Sequence, residues 1–183
     1  HYYRMANIYV ESLANAISFD ADGNVTIGAL EAFPTAYRYI DWLITVPLMV
    51  LEFPLLLNLG KKGKPMFLGL GVLSLFMLVT AWIAETSTVG GGAWWGFYLV
   101  SCLAWIGIVG MLYGSVTKAA GHLPADFQGH LGTMKAFILI GWVIYPVGFL
   151  LALTGNESTR EIAYNIADVI NKDRKSTRLN SSH

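Results

Sequence analysis

Four long apolar stretches, at about 34–59, 66–84, 93–115 and 132–153, alternate with short polar or glycine-rich segments along the chain. Each is close to the roughly 20 residues that a helix needs to cross the hydrocarbon core of a bilayer. The separators have turn chemistry: the basic "GKKGKP" at 60–65, the flexible "TSTVGGG" at 86–92 and the polar "TKAAGHLPADFQGH" at 117–130. Pro34 suits the first turn of a helix, where its missing N–H costs nothing. After "TGNES" at 154–158 a fifth helix is expected, from near Ser158 to Lys172. At the other end, residues 1–13 pattern as the end of a helix. The following "ISFDADGNVTI" sets Asp22-Gly23 between short β-prone flanks, which predicts a small hairpin.

Composition narrows the class to an integral membrane protein. Of 183 residues, 55% are hydrophobic and only 13% are charged, against roughly 25% charged in a typical soluble domain. A formal net charge of zero gives no reason to expect nucleic acid as a partner. The single cysteine, Cys102, excludes an internal disulfide and a cysteine-based metal site, and no metal is expected. The opening "HYYRMANIYVE" lacks the basic region and apolar core of a signal peptide.

The loops set the orientation. Lys61, Lys62, Lys64, Lys118 and His122 fall on one side, and Asp20, Asp22, Glu31, Glu85 and Glu157 on the other. The positive-inside rule places the lysine-rich loops in the cytoplasm. The stretches 34–59 and 158–172 therefore both run from outside to inside, and their ionisable residues can meet at similar depth. After Lys172 the apolar pattern stops. A helix from Ser158 has covered only about 15 residues there, roughly 22 Å, yet "DRKSTRLNSSH" at 173–183 is almost free of apolar residues. It reads as a foreign or artefactual extension.

The charges inside the spans carry the chemistry. In "YRYIDWLITVPLMVLEF" Arg38, Asp41, Thr45 and Glu52 share one helical face. Asp41 and Glu52 are eleven residues apart, which is 1100° and only about 20° from full register. The four make a polar stripe about 21 Å long. A charge at bilayer depth costs a few kcal/mol, about 2.5–3.5 by insertion scales, and should face protein or water. Two carboxyls at different depths on one face suit a proton relay better than a polar seam. Apolar surroundings favour a protonated carboxyl, as a donor requires, and neighbouring cations favour the ionised form, as a counterion requires.

The stretch "YNIADVINK" at 164–172 answers from the last helix. Asp168 and Lys172 are spaced i,i+4 and share a face. Lys172 either snorkels to the interface or forms a Schiff base with a carbonyl compound, whose charge Asp168 and Asp41 would balance. In "GWVIYPVGF" at 141–149, Trp142, Tyr145 and Phe149 recur at i,i+3,i+7. With Trp42 and Trp105 they either pack or form an aromatic sleeve for a long, flat, apolar ligand.

In order and separation, the stretches at 38–53, 141–149 and 164–172 resemble the third, sixth and seventh helices of the microbial rhodopsins, and most closely the proteorhodopsins. The resemblance implies an all-α, seven-helix membrane bundle, of which this chain carries about five helices and the end of another. It implies all-trans retinal bound to Lys172 as a Schiff base. Asp41 would be the proton acceptor and counterion, Asp168 the second counterion, Glu52 the cytoplasmic proton donor, and Arg38 and Thr45 would tune the acceptor. His1 is similar to a second-helix histidine that partners the acceptor. Trp42, Trp142 and Tyr145 resemble the aromatic walls, and Met49 falls at the colour-tuning position, where a nonpolar residue implies green absorption. Tyr98 aligns with a glycine that opens the wall for a carotenoid antenna in some relatives, so such an antenna is not expected.

The implied function is a light-driven outward proton pump. It is an ion transporter rather than an enzyme, multi-pass in a bacterial inner membrane, with the lipid bilayer and protons as partners and a homo-oligomer left open. The alternatives are a sensory photoreceptor of the same family, a fragment of the pump without activity of its own, and a membrane bundle with no photochemistry.

Overall fold

The computed structural model describes residues 36–155 without a break, together with 7–8, 10–11, 14–15, 17–19, 25–27, 162–164 and 167. The chain divides into two compact units, residues 1–46 and 47–183.

In the first unit, β1 (Ile17–Phe19) and β2 (Val25–Ile27) pair antiparallel, with Ile17 opposite Ile27 and Phe19 opposite Val25. The hairpin forms where it was expected, and the Asp22-Gly23 pair at its tip lies outside the described residues. Asn7, Ile8, Val10, Glu11, Ala14 and Asn15 are helical. Helix α1 (Ala36–Leu56) begins in this unit and ends in the second. At 21 residues it is about 32 Å long, enough to span the hydrocarbon core. It contains Pro47 and Pro54, which withdraw the N–H groups that the carbonyls of Leu43 and Val50 would otherwise accept.

The second unit is a helical bundle. The connection after α1 reverses through Asn58 and Gly60, with φ of 45° and 55°. Glycine takes this left-handed conformation at no steric cost, and asparagine tolerates it better than most residues. A short 3-10 turn (Gly60–Gly63) leads into α2 (Lys64–Glu85), with Pro65 in its first turn. Lys61, Lys62 and Lys64 are all exposed here. Helix α3 (Gly92–Met111) continues through a π-turn (Leu112–Val116) into α4 (Thr117–Ala120). Helix α5 (Ala125–Leu150) ends in a 3-10 turn (Leu151–Thr154) closed by Gly155 at φ 68°.

Helices α2 and α3 form a close antiparallel pair. Ser101 Oγ donates to the carbonyl of Met77 at 2.9 Å, an acceptor that Thr80 Oγ1 also reaches at 3.0 Å. Buried hydroxyls are thereby satisfied without water, as a lipid environment demands. Ala84, Trp94 and Phe149 form a buried cluster, with Phe97, Tyr98, Leu150 and Ala152 packed against it. Among the described residues four helical segments are long and apolar enough to cross a membrane: Ala36–Leu56, Gly60–Glu85, Gly92–Ala120 and Ala125–Thr154. The last starts earlier than the apolar run at 132. Pro124 stands at its N-cap, and its first turns are polar and exposed, so the helix is longer than the segment that lipid could cover. In the fifth expected helix, Ile162, Ala163, Tyr164 and Ala167 are helical. Residues 173–183 lie outside the described residues.

Candidate functional site

Helix α1 positions Arg38, Asp41, Thr45 and Glu52 on one continuous helix. The face they share is not uniformly buried. Arg38 is 0% exposed, Asp41 and Thr45 are half-buried, and Glu52 is exposed. Leu48 and Leu55, one turn to either side of Glu52, are 60% and 65% exposed, so this carboxyl sits within an outward apolar face. The guanidinium carbon of Arg38 lies 5.9 Å from the centroid of the Trp42 ring. A cation over an indole is attracted by the ring quadrupole, most strongly where water is excluded. Trp42 is itself buried and meets Tyr39 edge-on at 5.1 Å. Thr45 Oγ1 donates to the main-chain carbonyl of Asp41 at 2.9 Å, so the threonine buttresses the turn that carries the carboxyl.

In the second unit the aromatic residues fall into distinct groups. Phe149 joins Trp94 and Tyr98: the Tyr98 and Phe149 rings stack at 4.9 Å and 5°, and Trp94 stacks on Phe149 at 4.5 Å and 24°. The Tyr98 hydroxyl donates to the carbonyl of Pro146 at 3.3 Å. Tyr145 lies 5.7 Å from Tyr164. Tyr164 in turn rests on Gly148, where an added Cβ would come within 2.7 Å of its ring. That glycine is what lets α5 and residues 162–164 approach. Trp142 is buried, and no ring contact involves it among the described residues. Trp105 is half-buried, and its Nε1–H is buried without an acceptor. Met49 is half-buried.

Trp94, Tyr164 and Gly148 were not picked out from the sequence. Trp94 had a signal, its i,i+4 spacing to Tyr98. The pairing of Gly148 with Tyr164 joins two elements and leaves none. Lys172, Asp168 and His1 lie outside the described residues. Among the described residues no cluster of histidine, cysteine and carboxylate side chains could hold a metal ion.

The second unit carries side chains whose chemistry suits a flat, apolar polyene such as retinal: Trp142, buried with no ring against it among the described residues, the half-buried Trp105, and Tyr145. These are the residues that would hold it.

The family model described as "Bacteriorhodopsin-like protein" matches residues 1–174. The green-light absorbing proteorhodopsin of Gamma-proteobacterium EBAC31A08 is 37% identical over 145 residues, covering 76% of this chain and 57% of that protein. The chain therefore spans a little over half the length of this relative. The crystal structure of Exiguobacterium sibiricum rhodopsin superposes with a TM-score of 0.71 at 43% identity, covering 77% of this chain and 67% of that one. A thermophilic rhodopsin superposes with a TM-score of 0.76 at 28% identity, covering 93% and 68%. With four spans among the described residues, a charged stripe on the first of them and a family match over nearly its whole length, the chain belongs to the bacteriorhodopsin-like family, the multi-pass membrane proteins known as microbial rhodopsins.

Proposed function

We propose that the protein of which this chain is part is a light-driven outward proton pump. It absorbs green light, sits in a bacterial inner membrane, and carries all-trans retinal on Lys172. The observation that carries this reading is the placement of two carboxyls, Asp41 and Glu52, eleven residues apart on one unbroken spanning helix. When bound, retinal supplies light absorption and an isomerisation that lowers the proton affinity of the Lys172 nitrogen. The chain's own groups do the rest. Asp41, nearer the outer end, holds the proton lost from that nitrogen. Glu52, one turn from the cytoplasmic end of α1, returns a proton from the opposite side. Because acceptor and donor lie at different depths, each cycle moves a proton in one direction. Arg38 is buried one turn outward of Asp41 on the same helix. Trp142 and Tyr145 orient the polyene and keep water from it. Met49 adds no hydrogen bond at the colour-tuning position, which favours green over blue. The name "Green-light absorbing proteorhodopsin" of a relative agrees with that colour.

A sensory photoreceptor is the second reading. Glu52 favours the pump, because a donor carboxyl serves fast turnover, and a receptor has no need of one. Adding retinal to the protein completed to the length of its relatives should produce a band in the green. Lys172→Ala should abolish that band. A band that survives the substitution would remove Lys172 from the site.

A further inference from the structure

One buried ionisable side chain takes no part in this scheme. Lys135, in the cytoplasmic half of α5, is only 8% exposed. It is seven residues from Trp142, so both lie on one helix face, about 20° apart, with Lys135 about 10 Å nearer the cytoplasmic end. Among the described residues its ammonium donates to Thr117 Oγ1 at 2.6 Å and lies 5.2 Å from the centroid of the Tyr113 ring, and no carboxylate pairs with it. Both partners belong to the segment where α3 passes into α4. Tyr113 lies in the π-turn Leu112–Val116, and Thr117, the first residue of α4, reaches back across that turn with its Oγ1 to the carbonyl of Leu112 at 3.3 Å. Widened turns of this kind are rare and recur at functional sites.

A lysine placed inside a span for stability alone is expected to have a carboxylate partner. Among the described residues Lys135 has none, and its side chain is buried. Its charge is held by one hydroxyl and one ring face, so it joins α5 to the π-turn by contacts that can be broken and remade one at a time. We propose that Lys135, Thr117 and Tyr113 form a latch that holds the cytoplasmic ends of α3–α4 and α5 together and limits the rate at which a proton reaches Glu52. Lys135 is then a positioning residue for proton uptake. The latch itself rests on the contacts above, and its role in uptake rests on the pump reading.

The test uses the protein completed to the length of its relatives, in lipid nanodiscs with retinal, as wild type, K135M, K135R and T117V. Amide hydrogen exchange in the dark reads the latch without pumping. K135M should speed exchange several-fold in 112–120 and 131–138, T117V should do so to a smaller extent, and K135R should stay within about twofold of wild type. A pH-sensitive dye after a light flash reads uptake, which should be several-fold faster in K135M and T117V and near wild type in K135R. T117V removes only a hydroxyl and keeps the test decisive should K135M fail to fold. Unchanged exchange in both K135M and T117V would overturn the latch. Faster exchange with unchanged uptake would overturn its role in uptake. A wild-type protein with no light-driven proton signal would overturn the pump reading instead, and exchange would still decide the latch.

Discussion

Arg38 and Lys135 pose one physical problem at two places, a cation inside a membrane span. Each is answered in part by an aromatic face, Trp42 for Arg38 and Tyr113 for Lys135. Their positions relative to carboxylates differ. Arg38 precedes Asp41 by three residues on the same helix, whereas no carboxylate pairs with Lys135 among the described residues. The polar stripe on α1 was readable from its spacing alone, since 3.6 residues per turn fixes which side chains share a face. The burial gradient along it was not, because burial depends on neighbours that periodicity does not name. In the sequence Lys135 is a single basic residue in an apolar run at heptad distance from Trp142, and its partners on the neighbouring helix have no sequence signature. At this scale the firmest expectation concerns the donor. Glu52→Gln should leave the pigment coloured and slow flash-induced proton uptake at least tenfold, read by a pH-sensitive dye, and an unchanged rate would remove Glu52 from the relay. Gly148→Val would drive a branched side chain into the Tyr164 ring. Overpacking of this kind costs about 1–3 kcal/mol and should lower the midpoint of thermal unfolding in detergent.

At the scale of elements, the four spans were legible because lipid demands long apolar runs with internally satisfied backbones. Their ends were less so. Hydropathy marks where a helix enters lipid and not where it begins, which is why α5 starts at Ala125 in polar sequence. The π-turn after α3 has no sequence signature. The spacing of Trp142, Tyr145 and Phe149 fixes a face of one helix and leaves open whether that face packs or forms a sleeve with Trp42 and Trp105. The pairs that form are set between helices: Phe149 with Trp94 and Tyr98, and Tyr145 with Tyr164. The stack of Trp94, Tyr98 and Phe149 ties α3 to α5, and Trp94 is 1% exposed. Trp94→Ala should therefore cost about 3–5 kcal/mol, seen as a lower unfolding midpoint and a shorter half-life on heating. Tyr98→Phe keeps the stack and loses only the hydrogen bond to Pro146, worth about 1 kcal/mol. The difference between these two variants measures how much of the contact is ring and how much is hydroxyl.

At the scale of the whole molecule, the groups assigned to proton transfer are divided between two compact units. Arg38, Asp41, Trp42 and Thr45 stand in one unit, and Met49, Glu52, Trp105, Trp142 and Tyr145 in the other. The sequence pointed to their cooperation through family resemblance, since no spacing rule joins residues more than a hundred positions apart. By the positive-inside rule the exposed Lys61, Lys62 and Lys64 mark the cytoplasmic side, and on the proposed pump reading the order Asp41 to Glu52 along α1 sets an outward direction of transport. The central claim is that this order produces an outward proton current in light. It is tested most directly by illuminating unbuffered cells that express the protein completed to the length of its relatives, supplied with retinal, and recording external pH. The account predicts acidification under green light that a protonophore abolishes and that Asp41→Asn removes. Alkalinisation, or no change in cells that contain a coloured pigment, would contradict it.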